Sequence, residues 1–134
     1  MLKKVEHIGI AVKSLQNSNE LFKKLFGKDF YKVEKVESEK VATSFFMLGE
    51  TKIELLEAES DTSAIAKFIE KRGEGIHHIA FEVDDIHTEI TRLKGEGFEM
   101  INAEPKKGAD NKLICFLHPK TTNGILVELC QEIK

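Results

Sequence analysis

The chain is poor in the residues that define several special classes of protein. It contains only 2 cysteines and 2 prolines among 134 residues. That composition excludes a disulfide scaffold, and with only 9 glycines it also excludes collagen-like and low-complexity sequences. Cys115 and Cys130 lie outside any Cys-x-x-Cys spacing. We therefore expect both to be buried, reduced thiols in an intracellular protein.

Long apolar runs and charge of one sign are also absent. No stretch approaches the roughly 18 apolar residues of a membrane helix, and the first residues lack the apolar core of a signal peptide. We therefore expect no membrane partner and a cytoplasmic location. The 20 Lys+Arg and 23 Asp+Glu residues give a net charge of −3, with both signs mixed along the chain. A nucleic-acid-binding protein usually concentrates basic charge, so we expect no nucleic-acid partner.

The most informative feature is an internal repeat. Residues 7–15 (HIGIAVKSL) resemble residues 78–86 (HIAFEVDDI), with His, Ile and Val in register. In each copy a helical pattern ended by glycine follows. Each half then closes with a similar strand, residues 52–56 (KIELL) and residues 126–130 (LVELC). A matching start, middle and end at nearly constant spacing indicates a duplicated module.

Each module predicts the order strand, helix, strand, strand, strand, which gives an α+β fold of two tandem βαβββ modules in a single domain, residues 1–134. The first module covers about residues 1–57 and the second about residues 74–134. A connecting helix at about residues 61–73 lies between them. The predicted strands are at about residues 5–12, 30–37, 41–48, 51–57, 76–83, 98–103, 112–117 and 124–131.

Helix signals support this order. Asn17 is the expected N-cap of the first helix, Asp61 or Thr62 of the connecting helix, and Asp85 of the third helix. In the first helix, four apolar residues are expected to line one buried face: Leu21, Phe22, Leu25 and Phe26. In the connecting helix, the expected inward residues are Ile65, Phe68 and Ile69.

Strand alternation places four polar side chains on one side of the predicted sheets. Ile8 and Ile10 share the packing face of the first strand, so His7 points to the opposite face. The same parity places the other three polar residues opposite their apolar neighbours, on the cavity side of curved sheets. The complete set is His7, Glu54, His78 and Glu128.

These four residues predict a metal site if the two modules face each other. A single His or Glu on a strand is usually a surface or hydrogen-bonded residue, but four at matching repeat positions favour a shared role. Buried carboxylates require a cation or an extensive hydrogen-bond network. Imidazole and carboxylate ligands without thiolate suit Co²⁺, Mn²⁺, Ni²⁺, Fe²⁺ or Zn²⁺. Four ligands on an octahedral ion leave two positions for chemistry or ligand capture.

The modules and the four positions resemble the vicinal oxygen chelate superfamily, which includes glyoxalase I, extradiol dioxygenases, antibiotic-resistance proteins and methylmalonyl-CoA epimerases. The resemblance covers essentially the whole chain and is greatest to the epimerase branch. It implies a curved, barrel-like mixed sheet around a metal-centred cavity, with the helices outside. The matching segments are residues 7–12 (HIGIAV), 51–57 (TKIELLE), 63–69 (SAIAKFI), 73–83 (GEGIHHIAFEV), 116–120 (FLHPK) and 124–129 (GILVEL).

This resemblance implies an epimerase that interconverts (2R)- and (2S)-methylmalonyl-CoA in propionate metabolism. The α-proton is removed and returned through a metal-stabilised enolate. The ligands implied are His7, His78 and Glu128, with Glu54 at a fourth position that is often glutamine or glutamate in relatives. We expect Co²⁺ first, with Mn²⁺, Ni²⁺ or Zn²⁺ as alternatives. The partner implied is an acyl-CoA, and we expect a homodimer.

Inversion at the α-carbon requires acid/base groups on both of its faces. The resemblance makes Glu128 one of them. For the second, some relatives carry a glutamate where this chain has Thr43, whose hydroxyl is not a base near neutral pH without activation. Glu37 and Glu39, a few residues upstream, are the candidates to replace it, and water or Glu54 are the other options.

Two other functions remain open at this point. A glyoxalase I-type lyase uses the same kind of ligand set, and a non-catalytic small-ligand-binding protein of the same superfamily is a different class of function. Among the remaining histidines, we expect His77 to pack or to form a hydrogen bond behind the metal ligands, and His87 to be solvated. Four lysines that could meet CoA phosphates are expected mainly to be solvated: Lys106, Lys107, Lys112 and Lys120.

Overall fold

The computed structural model of the protein describes residues 1–134. The predicted α+β class is confirmed, and no helix is long and apolar enough to cross a membrane. The elements in chain order are β1 (Leu2–Ala11), α1 (Leu15–Phe26), β2 (Lys32–Val36), β3 (Val41–Leu48), β4 (Thr51–Ala58), α2 (Ala64–Arg72), β5 (Gly75–Val83), α3 (Ile86–Gly95), β6 (Lys106–Lys107), β7 (Lys112–Leu117) and β8 (Val127–Glu132).

The chain divides into two compact units, and strands β1 and β5 contribute residues to both. The first unit, Ile8–His77, contains strands in the order β2-β3-β4-β1, with antiparallel pairing of β2 to β3 and of β3 to β4. Helix α2 covers an apolar cluster through the three residues predicted to face inward, Ile65, Phe68 and Ile69, which confirms that prediction.

The second unit joins Met1–His7 to His78–Lys134 and has the strand order β1-β5-β8-β7-β6. Strand β5 runs parallel to β8, and β7 runs antiparallel to β8. Ile86 and Leu93 of α3 pack against Leu129 of β8 in the core of this unit. The parallel register places Ala80 beside Glu128. This register fixes the strand positions from which the candidate site is built.

The helix caps differ in part from those predicted. Ser14, not Asn17, caps α1, because its Oγ accepts a hydrogen bond of 3.1 Å from the backbone N–H of Asn17. Ser63 caps α2 in place of the two residues before it. Asp85 caps α3 as predicted, accepting from the backbone N–H of Thr88. Four capping residues in a row, Ser60 to Ser63, precede α2, so propensity alone does not select among them, whereas α1 begins before Asn17, which lies in its first turn.

The buried face of α1 is narrower than predicted. Phe22 and Phe26 pack against the cluster that contains Phe46. Leu21 and Leu25 are 61% and 70% exposed, so the prediction that they line the same face is wrong. Consecutive residues project about 100° apart on a helix. The four residues therefore form two adjacent rows along the helix, Leu21 with Leu25 and Phe22 with Phe26. Only the second row contacts the sheet.

The predicted strand at residues 98–103 is also wrong. Met100 makes only a single bridge to Leu117, and the short strand β6 lies further along the chain. Phe98 and Met100 pack against the core cluster of their unit, which explains their apolar alternation. Asn102 interrupts the ladder, because its side-chain Oδ1 rather than its backbone accepts from the N–H of Phe116, at 2.9 Å.

Candidate metal centre

Three donor atoms converge in the unit formed by Met1–His7 and His78–Lys134. The Nε2 atoms of His7 and His78 lie 3.0 Å apart. Glu128 Oε1 lies 3.2 Å from the first and 3.0 Å from the second. All three side chains are buried, with 6–7% exposure. The structure therefore brings together three of the four predicted ligands.

Strand geometry explains this convergence. Ala80 pairs with Glu128 between parallel strands β5 and β8, and His78 lies two residues before Ala80, on the same face of its strand. The neighbouring strand β1 supplies His7. The His78 ring packs edge-on against Phe116, with ring centroids 5.8 Å apart. This packing restricts the direction in which His78 can present Nε2.

The spacing of the three donors fits a divalent ion. Two ligand atoms at right angles about an ion, each bonded at about 2.1 Å, lie about 3.0 Å apart; at the tetrahedral angle they lie about 3.4 Å apart. Two of the three separations, both 3.0 Å, equal the first value, and the third, 3.2 Å, lies between the two values. The donor set and the spacing both support a divalent metal bound through two imidazoles and a carboxylate.

Electrostatics at the site favour an ionised carboxylate. Burial opposes the charged form of Glu128, but the adjacent His7 and His78 rings, when they are protonated, outweigh this effect and hold the pKa of Glu128 well below its ordinary value. An ionised carboxylate beside two ring nitrogens is the form that binds a cation.

Sequence reasoning missed two charged residues next to this site. Glu6 is 3% exposed, and its Oε1 lies 2.6 Å from His7 Nδ1. Lys112 is 8% exposed, which corrects the expectation that it is a solvated lysine, and its Nζ lies 3.9 Å from Glu6 Oε2. A signal existed for Glu6, because it has the strand parity of the apolar residues Ile8 and Ile10. A charged residue on an apolar face requires a partner.

The other predicted site residues lie in the Ile8–His77 unit. Glu54 is buried and pairs with Phe45 across strands β3 and β4. Thr43, two residues from Phe45, shares its face and is 1% exposed. Glu37 and Glu39 lie in the turn before β3. That turn ends at Val41, about 13 Å along the strand from Phe45, so neither residue neighbours Glu54. The role of Glu54 as a fourth ligand stays a prediction.

The remaining histidines and the cysteines behave largely as expected. His77 packs against Phe68, with ring centroids 5.0 Å apart, and His87 is exposed at the start of α3. His118 is exposed and caps a short 3₁₀ turn by accepting from the backbone N–H of Lys120. Cys115 and Cys130 are buried free thiols. Burial raises the pKa of Cys115, which disfavours its reactive thiolate.

Comparison with known proteins gives the class to which this fold and donor set belong. The family model of the Glyoxalase/Bleomycin resistance protein/Dioxygenase superfamily matches residues 6–116. The chain therefore belongs to that superfamily.

Comparison with individual relatives shows which members of the superfamily the chain resembles. The mitochondrial methylmalonyl-CoA epimerase of Dictyostelium discoideum is 45% identical over 127 residues, which cover 94% of this chain and 76% of the relative. The ethylmalonyl-CoA/methylmalonyl-CoA epimerase of Cereibacter sphaeroides is 40% identical over 98% of this chain and 99% of its own. A solved structure of a Streptomyces coelicolor methylmalonyl-CoA epimerase variant, in complex with 2-nitronate-propionyl-CoA, superposes with a TM-score of 0.94 at 31% identity, over 98% and 96% of the two chains. The resemblance to methylmalonyl-CoA epimerases predicted from sequence is confirmed.

Proposed function

We propose that this protein is a metal-dependent epimerase that interconverts (2R)- and (2S)-methylmalonyl-CoA. The observation that carries the proposal is the cluster of His7, His78 and Glu128, whose donor atoms lie 3.0–3.2 Å apart in a chain 40–45% identical to named epimerases. The solved relative holds 2-nitronate-propionyl-CoA. These facts together support an acyl-CoA substrate and an isomerase activity.

The substrate chemistry suits such a site. The α-hydrogen of methylmalonyl-CoA lies between a thioester carbonyl and a carboxylate, so its loss leaves negative charge on oxygen. A bound divalent ion supplies positive charge that stabilises this enolate. His7 and His78 present neutral nitrogen donors, and Glu128 contributes a negative charge. Held by these three residues, a divalent ion would keep a net positive charge.

Proton transfer requires groups within hydrogen-bond reach of the α-carbon. We assign Glu128 as one acid/base group, in addition to its role as a ligand. For the second group, Glu39 is favoured over Glu37, because one of its carboxylate oxygens is buried whereas Glu37 is exposed. Glu54 is the alternative, since it is buried at 4% exposure. Glu37→Gln, Glu39→Gln and Glu54→Gln, measured separately in each direction of the reaction, test these assignments.

Several finer features of the proposal remain predictions. We infer Co²⁺ as the preferred ion, although the ligand types suit Mn²⁺, Ni²⁺ and Zn²⁺ as well. A homodimer and a cytoplasmic location are likewise inferred. Metal analysis of the protein purified without added ion tests the first, and the mass of the protein in solution tests the second.

The test of function is proton exchange at the α-carbon. Protein purified and loaded with Co²⁺ is incubated with methylmalonyl-CoA of one configuration in D₂O, and mass spectrometry follows deuterium uptake while chiral analysis follows inversion. We expect both to depend on the ion. We also expect Glu128→Gln to reduce them at least about 100-fold, since it removes both a ligand and an acid/base group.

A matched control and a rival substrate make this test specific. Glu89→Gln changes another buried carboxylate, in α3, and is expected to leave exchange unchanged. The same protein is also assayed with methylglyoxal and glutathione. Turnover there without exchange on methylmalonyl-CoA would make the protein a glyoxalase I-type lyase. A bound ion with no turnover of either substrate would favour a ligand-binding protein.

A further inference from the structure

Glu6 makes a short contact to the side of His7 that faces away from the three-donor cluster. Its Oε1 lies 2.6 Å from His7 Nδ1, and the two side chains are 4% and 7% exposed. The other ring nitrogen, Nε2, is the one that lies near His78 and Glu128. Each ring nitrogen of His7 therefore faces a different carboxylate.

Of the two carboxylate contacts of His7, the one at Nδ1 is the shorter, 2.6 Å to Glu6 against 3.2 Å from Nε2 to Glu128, and it favours Nδ1 as the nitrogen that carries the proton of the neutral ring. A carboxylate only accepts hydrogen bonds, so a hydrogen bond to Glu6 requires the proton on Nδ1 of His7. Nε2 then carries a lone pair, which is the form that ligates a metal. In the other neutral tautomer, Nε2 would carry the proton and could not bind an ion.

Lys112 supplies the compensating charge. Its Nζ lies 3.9 Å from Oε2 of Glu6, the oxygen not used by His7, and its side chain is only 10% exposed. Lysine is almost never buried without a partner, and an uncompensated buried carboxylate is costly. In the strand register Lys112 is the first residue of β7, opposite Glu132. The backbone of Lys112 therefore belongs to the sheet, while its side chain lies beside Glu6.

We propose that Glu6 and Lys112 are positioning residues: they hold His7 in its Nδ1–H tautomer and so prepare Nε2 to bind the metal. The inference rests on the proposed function for its metal but not for its substrate. Glu6 acts on His7, and Lys112 acts through Glu6 by neutralising its buried charge. Neither residue is required to touch the substrate.

The tautomer is tested directly on the full chain without metal. Long-range ¹H–¹⁵N correlation NMR distinguishes protonated from unprotonated ring nitrogens. We expect the wild-type His7 ring to show a proton on Nδ1 and a lone pair on Nε2. In Glu6→Gln, whose amide can donate as well as accept, this preference weakens. A wild-type His7 with its neutral proton on Nε2 would overturn the proposal.

Metal affinity gives the second readout. Titration with Co²⁺ is expected to show an affinity about 10- to 100-fold lower for Glu6→Gln than for wild type, the usual loss when an outer carboxylate partner of a metal-bound histidine is removed. Glu89→Gln, which also alters a buried ion-paired carboxylate, is the control and is expected to change affinity less than about twofold. Equal affinities for wild type and folded Glu6→Gln would overturn the proposal.

The role of Lys112 is tested by coupling. Lys112→Met is expected to lower Co²⁺ affinity by about 3- to 10-fold on its own, but by less than about twofold when Glu6 is already Gln. Additive effects would show that Lys112 does not act through Glu6. Wild-type protein that binds Co²⁺ but does not epimerise methylmalonyl-CoA would contradict the proposed function and leave the assignment of Glu6 intact. Wild-type protein that epimerises methylmalonyl-CoA, together with a Glu6→Gln variant of unchanged Co²⁺ affinity, would support the proposed function and contradict the assignment of Glu6.

Discussion

The Nε2 atoms of His7 and His78 lie 3.0 Å apart, although the two residues are 71 positions apart in the sequence. Both rings are buried, and they meet edge to face with centroids 5.1 Å apart. Glu6 lies at Nδ1 of His7, and Nε2 of the same ring faces both the His78 ring and the carboxylate of Glu128. Donor atoms brought this close are stabilised by a cation bound among them.

Loss of one donor should abolish tight metal binding. We expect His78→Ala to reduce Co²⁺ affinity by at least about 100-fold, since even outer-sphere changes cost 10- to 100-fold. Isothermal titration measures this loss. His87→Ala removes an exposed histidine of α3 and should bind like wild type. Unchanged binding by folded His78→Ala would exclude His78 as a ligand.

Metal binding should stabilise the folded chain. At a free Co²⁺ concentration of 100 times the dissociation constant, linkage predicts a gain of about 2.7 kcal/mol in the free energy of unfolding. Urea unfolding with and without the ion measures this gain. Glu128→Gln should show much less of it at the same concentration. An equal gain in both proteins would indicate that the ion binds elsewhere.

The first helix offers a paired test of its cap. Ser14→Ala removes the oxygen that accepts from the N–H of Asn17 and should lower the free energy of unfolding by about 1 kcal/mol. Asn17→Ala keeps that hydrogen bond and should cost less than half as much. Denaturant unfolding of both variants measures the difference. A larger cost for Asn17→Ala would restore the cap predicted from sequence.

Glu89 should make the free energy of unfolding depend on pH in the acidic range. Its hydrogen bonds to Arg92 outweigh the opposing effect of burial and lower its pKa from 4.5 to about 2. Because the folded-state pKa is depressed, the stabilisation is fully present above about pH 4.5 and is lost as the pH falls through about 2. At pH 7 Glu89→Gln should cost roughly 1–2 kcal/mol, reduced from the full linkage value because Arg92 is partly exposed.

The matched control for this acid effect is Glu99→Gln. Glu99 pairs with Lys120 at 3.1 Å, but both side chains are more than half exposed. Such a pair contributes little to stability. We therefore expect Glu89→Gln to have a lower free energy of unfolding than wild type at pH 7 but not near pH 2. Glu99→Gln should match wild type at both pH values.

The sequence predicted the parts of this molecule that depend on local periodicity and on the repeat. Alternation around His7 and His78 placed them opposite apolar neighbours, and Asp85 was identified as a cap because it directly precedes an apolar helical pattern. Strand β3 begins and ends where predicted, at Val41 and Leu48. These features depend on neighbours within a few residues, which the sequence displays.

The features that sequence reasoning missed depend on partners distant in the chain. Lys112 is buried because Glu6, more than a hundred positions earlier, lies beside it. Asn102 ends a strand pattern because its side chain, rather than its backbone, meets Phe116. Leu21 is exposed because the sheet contacts only one row of α1. Strand parity shows that Glu6 needs a partner, but local sequence does not identify the partner in any of these contacts.

The most direct measurement is X-ray absorption of the Co²⁺-loaded protein at the cobalt edge. We expect one ion per chain with two imidazole ligands and oxygen ligands at about 2.0–2.2 Å, and no sulfur. In His7→Ala, we expect any Co²⁺ that still binds to have one imidazole ligand fewer. A coordination shell without imidazole, or one that His7→Ala leaves unchanged, would contradict the central claim that His7, His78 and Glu128 bind a single metal ion.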